Sequence, residues 1–194
     1  MPKEYSCVKR TKRTFERSLA ALSREYPLNK VTVKMLCERA ELSRNAFYFH
    51  YKDINDMVKT IEDGIIDEVS ERLEELRKLP FPENVFLIAE AIIDVFDRKR
   101  EYVLMLFDKS YSASFVKRLY DLFEEVNYEY FSIYHPASKK ATNALFYSFI
   151  TGGFYDSLRY WLENPEDVSK QDIIYITKKL MKRLILPTER FYEK

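Results

Sequence analysis

Residues 31–52 read VTVKMLCERAELSRNAFYFHYK, and this stretch predicts two short helices joined by a tight turn. Thr32 is an N-cap residue for the first helix, and Ser43 is an N-cap residue for the second. Only Glu41 and Leu42 are left for the turn between them. Two short helices this close together, preceded by a third, are typical of a three-helix helix-turn-helix unit.

Helical periodicity continues along the rest of the chain, and prolines divide it into segments. The chain has only three glycines, too few for a glycine-rich phosphate-binding loop or for the turns of a many-stranded β fold. We therefore expect an all-α protein with about nine helices. The predicted helices cover residues 9–26, 33–40, 44–51, 54–79, 83–98, 101–107, 112–134, 137–163 and 168–186.

The charge of the chain is balanced in total and uneven in distribution. The 194 residues include 32 Lys and Arg against 31 Asp and Glu, a formal net charge of +1. Residues 1–52 contain twelve basic and five acidic side chains and carry +7, so that the remainder carries −6. A basic helical unit fits a DNA-binding domain, because its cations neutralise phosphates. The alternative is a basic surface that is merely solvated, and the helix-turn-helix spacing favours DNA.

The second helix of the motif begins with residue types that can read base edges. Arg44 suits a bidentate contact with guanine, and Asn45 suits one with adenine. Other side chains can donate hydrogen bonds to phosphate oxygens, which position the protein on the duplex without reading sequence. These candidates are Tyr48, His50, Lys52 and, at the start of the preceding helix, Thr32.

Residues 31–53 resemble the helix-turn-helix signature of the tetracycline-repressor (TetR/AcrR) family of bacterial transcription regulators. The resemblance covers about residues 9–58, and it is carried by the Thr-Val start and the Tyr-Phe-His-Tyr ending. It implies a homodimer on a palindromic operator in double-stranded DNA, usually a repressor, with a ligand-binding C-terminal domain. It also implies phosphate contacts by Thr32, Ser43, Tyr48 and His50, with Arg44, Asn45 and Ala46 nearest the bases.

The same resemblance predicts a DNA-binding domain over residues 1–53 and a larger helical domain for ligand binding and dimerisation over residues 54–194. Three positions depart from the family pattern. Glu41 replaces a glycine, so the turn has to accommodate a Cβ atom. Asn45 replaces a second glycine, and Ile54 replaces a lysine that contacts phosphate, a role for which Lys52 is a substitute.

Two glycines lie inside a predicted helix of the C-terminal part, where each costs about 1 kcal/mol relative to alanine. Close approach of another helix would offset that cost. The last predicted helix has apolar residues on two faces, one suited to its own core and one to a partner chain. The alternative is a helix buried within one chain. The candidate dimer-interface residues are Gly152, Gly153, Ile176, Leu180 and Leu184.

Aromatic residues are frequent between positions 86 and 161. They either line a cavity for a small apolar or aromatic effector or fill the core between helices. A second hypothesis for the C-terminal domain is a protein partner in place of a small molecule. The candidate effector-binding residues are Tyr102, Phe107, Tyr111, Phe123 and Phe149.

The chain lacks the motifs of a catalytic, metal or cofactor site. It has two histidines, and its two cysteines, Cys7 and Cys37, have no metal-ligand spacing. We therefore expect no enzyme, no cofactor and no metal. The longest uncharged run, residues 141–155, is too short to cross a bilayer, and the N-terminus lacks the apolar segment of a signal peptide. These features predict a cytoplasmic protein with reduced thiols and no membrane partner.

Overall fold

A computed structural model describes residues 2–80, 83–107, 113–122 and 140–185. Within these ranges the chain forms α-helices and one 3₁₀-helix, Leu28–Lys30, and no strand, which confirms the expected all-α fold. The α-helices are α1 (Pro2–Leu22), α2 (Val33–Ala40), α3 (Arg44–His50), α4 (Ile54–Leu76), α5 (Glu83–Arg98), α6 (Arg100–Leu106), α7 (residues 113–122), α8 (Lys140–Glu163) and α9 (Lys170–Ile185).

Two helices end earlier than the periodicity predicts. α1 ends at Leu22, and the predicted helix over residues 9–26 is therefore wrong at its C-terminal end as well as at its start. α4 ends at Leu76 in place of residue 79. A proline follows each end within a few residues, Pro27 in one case and Pro80 in the other. Because the residue before a proline disfavours the α conformation, each helix stops before it.

The helices pack as two compact units. The first comprises residues 1–65 and 99–115, and the second comprises residues 66–98 and 116–194. α4 contributes its first half to one unit and its second half to the other. These units describe packing, whereas the boundary after residue 53 divides the chain by function and stays a prediction.

α1 is the central helix of the first unit, and it packs against α2, α3 and α6. Phe15 and Leu19 of α1, Leu36 of α2 and Phe47 of α3 are completely buried in the core that these helices share. Burial of a large apolar side chain contributes about 1.5–3 kcal/mol to folding. The apolar face of α1 therefore holds both short helices of the motif on one core.

The core of the second unit lies where α9 packs against α5 and α8. Ile93 and Phe96 of α5, Trp161 of α8 and Ile173 of α9 are buried there. No helix in the described ranges has both the length and the apolarity needed to cross a membrane.

Ion pairs accompany the apolar packing of α9 against α5. Lys170 Nζ lies 2.7 Å from Asp94 Oδ1 and 3.2 Å from Asp97 Oδ2. Two turns further along α9, Lys178 pairs with Glu90. These pairs join residues far apart in sequence, and no local pattern predicts them.

Candidate nucleic-acid interface

The turn between α2 and α3 is formed by a residue in the left-handed conformation. Glu41 has φ 53° and ψ 37°, and no other non-glycine residue in the described part of the chain has a positive φ. Hydrogen bonds close the end of α2: Glu41 N–H donates to the carbonyls of Cys37 and Glu38 (3.3 Å to Glu38), and Leu42 N–H donates to that of Cys37 (3.1 Å). This is a Schellman arrangement, in which glycine is the usual left-handed residue. The turn does accommodate a Cβ atom.

Both helices of the motif begin with the predicted side-chain caps. Thr32 Oγ1 accepts a hydrogen bond from Met35 N–H (3.2 Å), and Ser43 Oγ accepts one from Ala46 N–H (3.1 Å). Each hydroxyl oxygen thereby satisfies a helix-terminal donor, while its own hydrogen is available to a second acceptor. Thr32 and Ser43 are both exposed, so that a phosphate oxygen can be that acceptor.

Aromatic contacts fix the inner face of α3 on α1. The Phe47 ring meets the Phe15 ring edge to face, with centroids 5.6 Å apart, and lies 5.6 Å from the Tyr51 ring. Tyr51 Oη donates a hydrogen bond to Glu16 Oε1 (3.2 Å). Burial, followed by the nearby Glu16 carboxylate, raises the pKa of Tyr51, so its hydroxyl stays a donor. With this face fixed, the orientation of the opposite face of α3 is also fixed.

The exposed surface of α3 carries residues that are predicted to read DNA. Arg44, Asn45 and Tyr48 are exposed, and Ala46 is half-buried. Lys52, just beyond the helix, is exposed as well. The structure therefore places the predicted base-reading residues in one outward-facing turn at the start of α3.

His50 occupies the half-buried end of α3. Burial lowers the pKa of His50, the positive charge of Lys12 lowers it further, and the Glu16 carboxylate opposes both. The neutral imidazole is therefore the form favoured at neutral pH, and it retains one N–H donor. His50 can contact a phosphate as a hydrogen-bond donor, and its charge contributes little.

The connection from α3 to α4 is short and hydrogen-bonded. Asp56 N–H donates to Asp53 Oδ1 (2.8 Å), and the backbone N–H of Lys52 donates to Asp56 Oδ2 (2.9 Å). The two carboxylates thus satisfy backbone donors at the start of α4. The Asp56 carboxylate also holds the backbone of Lys52 in place immediately after α3.

The basic excess of the N-terminal residues lies on the surface of the first unit. Among the described residues, its exposed ion pairs include those of Arg39 with Glu25, Arg24 with Glu101 and Lys34 with Glu38. Exposed pairs of this kind contribute little to stability. The exposed basic side chains include Lys9, Arg10, Arg13, Arg17, Lys34, Arg44 and Lys52.

One exposed residue of α3 has no role in the sequence prediction. Phe49 follows Asn45 by four residues, and 76% of its side chain is exposed. Residues 47–49 are three successive aromatic residues, and residue type alone does not indicate which of them is buried. In the structure only Phe47 faces the core. The signal that distinguishes them is the helical spacing, which places Phe49 on the face of Asn45.

The C-terminal sequence decides the family. A family model described as the TetR-type transcriptional regulator C-terminal region matches residues 83–183, more than half of the chain. The chain belongs to the TetR family of transcriptional regulators. No curated protein matches it in sequence.

The fold of this chain is similar to those of solved TetR-type regulators. SmeT in complex with triclosan has a TM-score of 0.68 at 14% identity, covering 91% of this chain and 95% of its own. NalD, a secondary repressor of a multidrug efflux pump in Pseudomonas aeruginosa, has a TM-score of 0.64 at 13% identity, covering 95% and 100%. FadR from Bacillus subtilis, in complex with stearoyl-CoA, has a TM-score of 0.66 at 10% identity, covering 89% and 97%.

The candidate effector-binding residues of this TetR-family regulator fall in different parts of the chain. In the first unit Tyr102 is half-buried, and Phe107 is buried with its ring 5.8 Å from that of Phe115. In the second unit Phe149 lies on α8 with 73% of its side chain exposed, so it lines no enclosed cavity of the single chain. Tyr111 and Phe123 lie outside the described residues.

The candidate dimer residues belong to α8 and α9 of the second unit. A Cβ atom on Gly152 would lie 3.4 Å from Tyr120 Oη, so the close approach at this glycine is within the chain. A Cβ atom on Gly153 would meet no atom within 4 Å. Ile176 and Leu180 are 40% and 47% exposed, which does not fit a helix buried within one chain. Leu184 is half-buried.

The outward surface beside these residues is apolar and concave. An open groove of about 570 Å³ follows α8 and α9 in the second unit. Its lining combines aromatic and aliphatic side chains with two carboxylates. The lining includes Asp156, Tyr160, Trp161, Asp172, Tyr175 and Ile176.

Proposed function

We propose that this TetR-family regulator is a homodimeric, ligand-responsive repressor that binds a palindromic operator through α3. Residues 1–53 would form its DNA-binding domain, and residues 54–194 its ligand-binding and dimerisation domain. The observation that carries the proposal is the pair of opposite faces on α3. Phe47 fixes one face on the core, Asn45 lies exposed on the opposite face, and Arg44 is exposed at the start of the helix.

The proposed contacts follow from the chemistry of each side chain. Arg44 and Asn45 read base edges in the major groove, with Ala46 close to the bases. The Thr32 and Ser43 hydroxyls donate to phosphates while they cap their helices. The remaining phosphate contacts in this proposal are those of Tyr48, His50 and Lys52.

A homodimer is supported by the exposed apolar face of the second unit. Leu145 and Phe149 of α8 and Ile176 and Leu180 of α9 are all exposed large apolar side chains. Several large apolar side chains left exposed on two helices that pack together are unfavourable in a monomer in water. Two-fold pairing through it would place a second reading helix one turn of DNA away, about 34–36 Å along the duplex.

The ligands of two structurally similar regulators support an effector with an apolar group. SmeT is bound to triclosan, an apolar aromatic compound, and FadR to stearoyl-CoA, which combines an apolar acyl chain with an anionic coenzyme A part. Of the aromatic candidates, half-buried Tyr102 and buried Phe107 suit an apolar ligand group. Such an effector would change operator binding only if it bound the DNA-free and DNA-bound conformations with different affinity.

DNA recognition is tested by selecting operators from random duplexes with the full chain and measuring affinity by fluorescence anisotropy. Arg44→Ala and Asn45→Ala should each lose about 1–3 kcal/mol of discrimination at one base pair per half-site. Arg72→Ala, at an exposed arginine of α4 in the second unit, is the matched control and should leave the selected sequence unchanged. If both test variants keep the wild-type sequence preference, Arg44 and Asn45 do not read bases.

The oligomeric state is tested by sedimentation of the wild-type chain and of Leu180→Glu. A charge on the exposed apolar face should dissociate the dimer and weaken operator binding. Leu79→Glu is the control, because Leu79 has a similar exposure of 41% outside α8 and α9. A wild-type monomer would contradict the homodimer. It would favour the second candidate function, in which the exposed apolar face binds a protein partner.

A further inference from the structure

Phe49 is the most exposed large apolar side chain in the part of the chain that the structure describes. It lies on the outward face of α3, one helical turn after Asn45 and opposite the buried Phe47. Its ring meets the imidazole of His50 edge to face, with centroids 5.1 Å apart, and this contact leaves most of the phenyl ring in solvent. Folding of the first unit therefore does not account for a phenylalanine at this position.

The surroundings of Phe49 restrict what can cover it. Exposed Arg44 lies at the start of the same short helix, and exposed Lys52 lies just beyond its end. Residues 1–52, to which all three belong, carry a net charge of +7. An apolar ring within a cationic surface suits a partner that is anionic overall and offers an apolar group at the point of contact. Duplex DNA meets both conditions, because the C5-methyl of thymine is the apolar group that its major groove displays.

The spacing to Asn45 adds a positional constraint. Residues four apart on a helix are separated by about 6 Å along its axis, which is close to two base-pair steps. Asn45 is suited to adenine, so its neighbour on the same face is placed over a nearby base pair.

We propose that Phe49 is a specificity-determining residue that packs against the C5-methyl group of a thymine, within about two base pairs of the base read by Asn45. This inference rests on the proposed function, since it assigns sequence reading to the same helix. It predicts that the operator half-site contains such a thymine. It also predicts that the methyl group, and not only the hydrogen-bonding edge of the base, contributes to affinity.

The test is a double-mutant cycle between the side chain and the methyl group. Each thymine of the selected operator is replaced in turn by deoxyuridine, which keeps base pairing and O4 and removes only the methyl. At one thymine per half-site the wild-type protein should bind the deoxyuridine duplex about fourfold more weakly for each methyl lost. Phe49→Ala should bind the thymine duplex more weakly than wild type and show no further loss with deoxyuridine.

Two control variants separate this contact from other effects. Tyr26→Ala removes an exposed aromatic ring from the same unit and should leave both the affinity and the thymine-to-deoxyuridine ratio unchanged. Asn45→Ala should weaken binding and keep the wild-type ratio of thymine to deoxyuridine affinity, because the Asn45 side chain does not contact the methyl group in this proposal. Thermal unfolding of each variant establishes that the domain is folded.

The outcomes distinguish this inference from the proposed function. If Phe49→Ala keeps the wild-type ratio at every thymine, or if wild type is indifferent to all deoxyuridine replacements, the methyl contact is wrong and DNA binding still stands. A selected half-site without a thymine near the Asn45 position overturns the inference as well. If wild type binds no selected duplex, the proposed function fails, and this inference fails with it.

Discussion

Glu41→Gly should stabilise the first unit, because it replaces the residue that adopts the left-handed conformation in the turn of the motif. Glu41 has φ 53° and ψ 37° at the end of α2. In that region the Cβ atom of an L-residue crowds its own backbone, at a cost of roughly 1–2 kcal/mol. Glycine avoids this cost, but its unfolded chain is more flexible by about 0.5–1 kcal/mol. The expected net gain is about 0.5–1 kcal/mol.

The assay is thermal unfolding followed by circular dichroism. For a chain of this length, the expected gain corresponds to a rise in Tm of about 1–4 °C. Glu41→Ala is the matched control, because it removes the carboxylate and keeps the Cβ atom. It should gain at most a few tenths of a kcal/mol, from removing a negative charge at a helix C-terminus.

The informative quantity is the difference in Tm between the glycine and alanine variants. Glycine should be the more stable of the two. If the alanine variant is as stable as the glycine variant, the Cβ atom does not destabilise the left-handed conformation. Any gain that both variants share then comes from the lost charge. If glycine is the less stable, the flexibility of the unfolded chain outweighs the strain. Either result would refute the reasoning from φ.

Removing either cap hydroxyl, by Thr32→Ala or Ser43→Ala, should cost about 1 kcal/mol in chemical unfolding. Thr14→Ala, at a mid-helix hydroxyl bonded to the carbonyl of Arg10, should be close to neutral. Phe47→Ala should cost about 3–5 kcal/mol and abolish operator binding, and a folded variant that binds normally would contradict the role of Phe47 in fixing α3. Because the pKa of His50 lies below its usual 6.5, its contribution to stability is complete above pH 6.5 and is lost as the pH falls through the folded pKa. Thermal unfolding between pH 8 and 5 should therefore show a shallower decline for His50→Gln than for wild type.

Local sequence signals predicted the motif well because its geometry is set by neighbouring residues. Thr32 and Ser43 form the predicted caps, and α2 has the predicted bounds. The periodicity predicts a helix that includes Tyr26, whereas α1 ends at Leu22, and Pro27 restricts the backbone of Tyr26. Helix periodicity is less informative near an end, where capping and proline effects compete with it.

What the sequence could not predict depends on contacts between distant residues. The exposure of Phe149 contrasts with the burial of Phe107, although both are aromatic residues of helical segments. The pairing of Lys170 with Asp94 joins α9 to α5 across a long stretch of chain. Such facts depend on which helices become neighbours, and a single sequence without long-range information leaves that open.

The link between α3 and α4 is short and hydrogen-bonded, which restricts movement of one helix relative to the other. Three residues, 51–53, connect the helices, and the Tyr51 hydroxyl is bonded to α1 while the Lys52 N–H is bonded to Asp56 of α4. A displacement of the first turn of α4 therefore either moves the end of α3 with it or breaks one of these hydrogen bonds. The position of the start of α4 and the position of the end of α3 are therefore coupled through the backbone and side chains of three residues.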